Sequence, residues 1–306
     1  MTESKFAPIA LFTYCRPWHT QKTVEALLAN HESSETDLYI FSDAPKNEKA
    51  IEGVLNTRKY IHTITGFKNV HIIEREKNWG LANSLIDGIS KIVNEYGKVI
   101  VVEDDIVASP FFLQYMNEGL ELYKNDNKVA SIHAYVYPTQ KKLPETFFIQ
   151  GADCWGWATW KRAWDIFNSN TQELLDEIVQ KKLQRKFDFD YTYPYVDMLK
   201  DQINGKVNSW AIRWYASAFL KDMYTLYPGQ AMAKQIGMDG VGATHSGKTD
   251  IYNVELRMTP ISLKQIHDIK NSPEGYEAFK SFFKKIQSKR MKIIYLLRLI
   301  KGMITH

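Results

Sequence analysis

Cysteine is scarce. Cys15 and Cys154 are the only two in 306 residues, too few for a disulfide framework and without the spacing of a zinc site. Long apolar runs are absent as well: no stretch of 18 residues reads as a membrane-spanning helix. Met1-Thr-Glu-Ser-Lys5 lacks the apolar core of a signal peptide and leads straight into a strand, which predicts a cytoplasmic protein. Neither Gly-x-Gly-x-x-Gly nor Gly-Lys-Ser/Thr follows that strand, so a dinucleotide fingerprint and a P-loop are both excluded. A bound nucleotide would need a metal and side chains for its phosphates. The body of the chain also lacks an excess of positive charge. Eight of the 39 Lys and Arg fall between Lys280 and Lys301, with no acid among them, leaving 31 bases against 35 acids elsewhere. A basic groove for nucleic acid is thereby excluded. The tail from Phe279 to Thr305, basic and apolar by turns, suits either a helix docked on the body or an anchor on an anionic membrane surface.

The most informative stretch is Lys98 to Asp105, where four β-branched residues end in Glu103, Asp104 and Asp105. The aliphatic run reads as a strand buried on both faces, and ligands gather at the carboxyl ends of such strands. Three adjacent acids repel one another unless a cation or donors compensate them, so the triplet reads as a hard-metal site rather than a solvated turn. Three further strands precede it, at Pro8–Tyr14, Asp37–Ser42 and Val70–Glu74, with helices between them. That alternation predicts an α/β chain with a Rossmann-like parallel half. Arg16 follows the first strand, Asp43 the second, and Arg75 and Asn78 the third. Taken singly, each is more often an ion-pair partner or a turn former; together they line one edge of the sheet and predict a ligand site, with the arginines on phosphates and Asp43 on a ribose or a base edge.

Aromatic content is 13%, high enough to point to sugar or nucleotide ligands, although most such rings fill cores. Four tryptophans lie within Gly151 to Trp164, which suits a loop lining a sugar pocket or an aromatic mini-core. Gly237 to Gly247 is glycine-rich and reads as a lid, carrying His245 as a candidate metal ligand beside Asp105.

These motifs resemble those of inverting glycosyltransferases of the GT-A fold, specifically bacterial sugar transferases related to the N-acetylglucosaminyltransferase that initiates complex N-glycans. The resemblance covers about residues 7–250. It rests on Tyr14-Cys-Arg-Pro, Phe41-Ser-Asp43, Asn78-Trp-Gly-Leu, Val102-Glu-Asp-Asp105 with Ser-Pro-Phe-Phe behind it, Trp155-Gly-Trp and Gly242-Ala-Thr-His-Ser. It implies a GT-A domain over 1–250, divided into a nucleotide-sugar half (1–108) and an acceptor half (109–250), with a helical basic tail at 251–306. It further implies Mn2+ or Mg2+ on Asp105, with Asp104 at the ribose and Glu103 at the donor sugar. One departure stands out: the family's Trp-Asp-Asp-Trp, which holds its catalytic base, is Trp210-Ala-Ile-Arg-Trp here. Asp153 and Asp239 are the candidate replacements.

The function expected from all this is transfer of a sugar from a nucleoside diphosphate sugar to a glycan or lipid-linked glycan, in surface polysaccharide synthesis, in the cytoplasm or at the inner face of its membrane. A nucleotidyltransferase would carry a basic Gly-rich loop after the first strand. A non-catalytic carbohydrate-binding protein would use the Trp cluster and have no need of the acids.

Overall fold

A computed structural model describes residues 5–241 and 248–304, with residues 289–304 by backbone alone. The aliphatic stretches form the strands their composition predicts. β1 (Ile9–Thr13), β2 (Asp37–Ser42), β3 (Asn69–Glu74) and β4 (Lys98–Glu103) are joined by helices α1 (Pro17–Leu28), α2 (Glu48–Ile61) and α3 (Leu81–Tyr96). All four strands run parallel in the order β3-β2-β1-β4. β1, β2 and the aliphatic body of β4 are buried, whereas β3 lies at the sheet edge and alternates between exposed and half-buried residues. Gly97 terminates α3 at φ 74°, the left-handed conformation that a residue with a Cβ adopts only with strain.

After β4 the topology becomes mixed. A short strand β5 (Ile106–Ala108) and helix α4 (Phe112–Leu122) lead to β6 (Val129–His133), β7 (Thr146–Ile149), β8 (Trp157–Trp160), β9 (Tyr224–Pro228) and β10 (Ala233–Gln235). β8 pairs antiparallel with both β4 and β6, extending the sheet to β3-β2-β1-β4-β8-β6-β9-β7. β10 pairs antiparallel with β5 in a separate two-stranded ribbon. The α/β class, the Rossmann-like half, the mixed strand order and the helical C-terminal segment are those expected from the sequence.

Three of the four tryptophans near 151–164 are core residues rather than pocket lining. Trp157 is fully buried and stacks on Trp210 at 5.6 Å, with Trp214 and Trp164 beside it. Trp160 points to the other face of β8, where its Nε1 donates to the Leu120 carbonyl. Period-two alternation along a strand, not a loop, sets this arrangement. β6 stops at His133. Beyond it, Ala134 bonds to the Gly156 carbonyl while its own carbonyl accepts from Met232, which turns Tyr135 and Tyr137 toward a cavity.

The C-terminal helix runs from Pro273 to Ile304; residues 251–272, which precede it, contain no helix or strand. Its first turns belong to the core. Phe279 and Phe283 are 1% exposed and Phe282 is 3% exposed. Phe279 meets Tyr137, Phe147 and Tyr227, and Phe282 stacks on Tyr137 at 4.8 Å. Burying one such ring stabilises the fold by about 1.5–3 kcal/mol.

Candidate active site

β1 and β4 are in parallel register, with Phe12 opposite Glu103, so whatever follows β1 faces whatever follows β4. Pro17 occupies the first position of α1, where its fixed φ suits the helix start. Arg16 stands just before it and reaches across to the acids. Its Nη2 donates to Asp104 Oδ1 and, at 2.9 Å, to Asp105 Oδ2. Burial works against the charged guanidinium, but Asp104 and Asp105 outweigh it and raise the Arg16 pKa further.

β10 closes the other side. Gln235 Nε2 donates to Asp105 Oδ2 at 3.3 Å, and the Ile236 N–H donates to the Asp105 carbonyl at 2.8 Å. Gly237 follows, and a Cβ there would overlap the Asp105 carboxylate and crowd Arg16 Nη1. Glycine at 237 is thus required by close approach. Burial, then repulsion from Asp105 and Asp104, raises the Glu103 pKa, and burial, opposed by Arg16, raises that of Asp104. Asp104 Oδ2 is buried without a hydrogen-bond partner among the described residues.

One guanidinium against three carboxylates leaves a negative excess that fits a hard divalent cation. Among the described residues, however, no three His, Cys, Asp or Glu side chains form a ligand set. Asp105, with Asp104 and Glu103 beside it, could supply only part of the shell of such an ion. His245, the second expected ligand, lies outside the described residues.

The second predicted group assembles around Asp43. Its Oδ1 accepts from the Ala44 and Trp79 N–H groups, and its Oδ2 from the Gly80 N–H and Asn78 Nδ2. Asn78 Nδ2 also donates to the Ala44 carbonyl. Asp43 thus holds the 78–80 turn to the end of β2. Arg75 pairs with Asp87 and places its guanidinium 3.9 Å from the Trp79 ring centroid. The exposed edge of this group is a turn with a cation-stacked indole, organised by a buried carboxylate. Asp43→Ala leaves these donors without their acceptor and is expected to lower stability by about 2–3 kcal/mol, which a shift of the denaturant midpoint checks.

Beside the acids lies a cavity of about 280 Å3. Tyr135, Tyr137, Trp155, Tyr193, Tyr195 and Tyr252 contribute rings, and Asp153 is the only carboxylate in its lining among the described residues. Asp153 accepts from Tyr137 Oη at 2.9 Å and Tyr227 Oη at 2.8 Å. Burial raises its pKa, against the two phenols that favour the ionised form. Cys154 joins the two regions: after burial, the charges of Glu103, Asp153 and Asp105 all raise its pKa. Met238, next to Gly237, also lines the cavity. So do Ala211 and Ile212 of the Trp210–Leu220 helix.

Asp239 sits differently. It is exposed, its Oδ2 lies 3.0 Å from His19 Nε2, and its Oδ1 accepts from the Val241 N–H. Burial works the other way, but the Val241 N–H and His19 hold its pKa below the ordinary value. His19 was not singled out in the sequence. Its spacing of three from Arg16, one turn along α1, was the available signal.

No family model matches the chain, and no curated protein does. Several solved structures overlap it in part. A mannosyltransferase from Pyrobaculum calidifontis, in complex with GDP-Man and Mn2+, is 10% identical with a TM-score of 0.40 over 70% of this chain and 69% of that one. S. aureus TarS is 12% identical with a TM-score of 0.38 over 73% of this chain, which spans only 36% of TarS. A UDP-glucose pyrophosphorylase complexed with UDP-glucose is 12% identical with a TM-score of 0.36, over 75% of this chain and 92% of that one. Overlaps this slight carry no argument about chemistry, which has to come from the site.

Proposed function

We propose that the chain is a metal-dependent glycosyltransferase that moves a sugar from a nucleoside diphosphate donor to a glycan hydroxyl with inversion. The observation that carries this reading is the juxtaposition of two unlike half-sites. At the end of β4, three acids face a single guanidinium. Next to them, across Cys154, an aromatic cavity holds one carboxylate, Asp153.

In this reading residues 1–108 hold the donor. The 78–80 turn held by Asp43 and the Arg75–Trp79 stack receive the nucleotide, and Asp104 and Glu103 face its ribose and sugar. A divalent cation bound through Asp105 would neutralise charge on the departing diphosphate. Arg16 keeps Asp104 and Asp105 in place. The cavity, built mainly from residues 109–250 with Phe283 and Ile286 of the C-terminal helix, receives the acceptor, whose rings stack on tyrosine and tryptophan faces.

Asp153 is the better of the two candidate bases. It lines the cavity, and a raised carboxylate pKa brings it nearer that of an effective proton acceptor. Ala211 and Ile212, which replace the two aspartates of the resembling family, line the same cavity, so Asp153 restores a carboxylate where the Trp210–Leu220 helix has none. Asp239, exposed and paired with His19, instead ties the segment after Gly237 to α1.

Calorimetric titration with UDP and GDP, with and without Mn2+, tests the reading, followed by a screen of nucleotide sugars for nucleotide release in the presence of glycans. The expected result is tight nucleotide binding only with the metal. Sugar binding with no nucleotide binding would favour a lectin, and release of diphosphate from a nucleoside triphosphate and a sugar phosphate would favour a nucleotidyltransferase.

A further inference from the structure

The C-terminal helix has two unlike halves. Its first turns, through Phe279, Phe282 and Phe283, are embedded in the body, and Phe283 and Ile286 form part of the cavity wall. Beyond Gln287 the helical backbone continues without a break to Ile304, a further stretch of roughly 25 Å at 1.5 Å per residue. Along it the sequence carries Lys289, Arg290, Lys292, Arg298 and Lys301 and no acid. Ile293, Leu297, Ile300 and Ile304 recur at spacings of four, three and four, which puts them on one helix face. Counting back in steps of three, four and seven, that is also the face of Phe279, Phe282 and Ile286.

Three observations decide what covers this half. Outside residues 288–304 bases and acids nearly balance, 34 against 35, so the concentration of positive charge here is local and complementary to a negative surface. An apolar stripe flanked by bases matches a helix lying in a lipid interface. Among the described residues no helix is long and apolar enough to cross a membrane, so the geometry is contact with the surface, not insertion through it.

We infer that residues 288–304 dock on an anionic lipid surface, and that this holds the cavity walled by Phe283 and Ile286 against that surface. The acceptor class that follows is a glycan carried on a lipid in the same membrane leaflet. The choice of acceptor rests on the transferase reading; the lipid docking does not, because it involves neither the acids of β4 nor Asp153.

The test is sedimentation of the full chain with vesicles of phosphatidylcholine alone, or mixed equally with phosphatidylglycerol. A second protein carries Lys289→Gln, Arg290→Gln, Lys292→Gln, Arg298→Gln and Lys301→Gln, which preserve helix propensity and leave the embedded turns intact. Truncation must not reach those turns, since removing Phe279 would strip the core, so a third protein ends at Gln287. The intact chain is expected to sediment with the anionic vesicles and not the neutral ones. Partitioning of the glutamine variant should fall at least ~10-fold, since each base near an anionic surface contributes about 1 kcal/mol, and the truncated chain should remain in solution with unchanged thermal unfolding. Equal binding to both vesicle types, no binding by the intact chain, or unchanged binding by the glutamine variant would overturn the inference. So would binding of duplex DNA or RNA by the tail in place of vesicles. Because the readout is sedimentation, a negative result leaves the transferase reading standing, and an inactive enzyme that still binds anionic vesicles leaves the docking standing.

Discussion

Asp153→Asn is expected to lower kcat by roughly 100- to 10,000-fold, the range over which a positioned general base contributes, while nucleotide affinity stays unchanged. Asn keeps the size of the side chain and one carbonyl oxygen, so one of the bonds from Tyr137 and Tyr227 survives and the cavity keeps its shape. What is lost is the ability to take a proton. The pH profile separates this from a structural effect. Burial raises the Asp153 pKa, so the protonated, inactive form persists to a higher pH than for an ordinary carboxylate. Activity should therefore fall on the acid side with a midpoint above the usual value of about 4. That limb should disappear in the residual activity of the Asn variant. A wild-type acid limb at the ordinary carboxylate value, or a variant that retains full kcat, would remove Asp153 from the mechanism. Asp239→Asn is the matched control, and its kcat should change little.

The second large effect is at Asp105. Asp105→Asn is expected to cost about 100- to 1,000-fold in transfer, the scale of losing one preorganised electrostatic contact to developing charge. Manganese-dependent binding of a nucleoside diphosphate should vanish with it in the calorimeter. The fold should persist: Arg16 retains Asp104 as a partner, the Ile236 N–H still reaches the residue 105 carbonyl, and the negative excess is relieved. Thermal unfolding at or above the wild-type midpoint, together with lost nucleotide binding, is the expected combination. Retained metal-dependent binding would mean that the acids of β4 serve only to hold Arg16.

Both predictions depend on residues whose types were visible in the sequence and whose surroundings were not. The acids at 103–105 were identifiable because an aliphatic run and its polar end are adjacent along the chain, and the strand period is local. Arg16, Asp43, Arg75 and Asn78 were placed correctly at strand ends for the same reason. Their partners were not evident. Asp43 uses both oxygens to hold the 78–80 turn, an arrangement made by parallel pairing of β2 and β3, not by any local pattern. The tryptophans near 157 read first as a loop lining a sugar pocket, with an aromatic mini-core as the alternative, since composition does not say which face of a strand is covered. The insertion of β8 between β4 and β6 answered that.

The α/β class, the parallel first half, the acidic end of β4 and the separation of basic charge into the tail follow from the order of residues along the chain, because period, strand ends and charge runs can all be read from neighbouring residues. Which carboxylate stands in the cavity, why Gly237 has no side chain, and that the first turns of the tail helix are core emerge only from the packed fold. Each of these is a contact between residues far apart in the chain. Asp153 acquires its setting from Tyr227, Asp105 from Gln235 and Gly237, and Tyr137 from Phe279 and Phe282. Burial and close approach are properties of packed neighbours, and no local pattern encodes them.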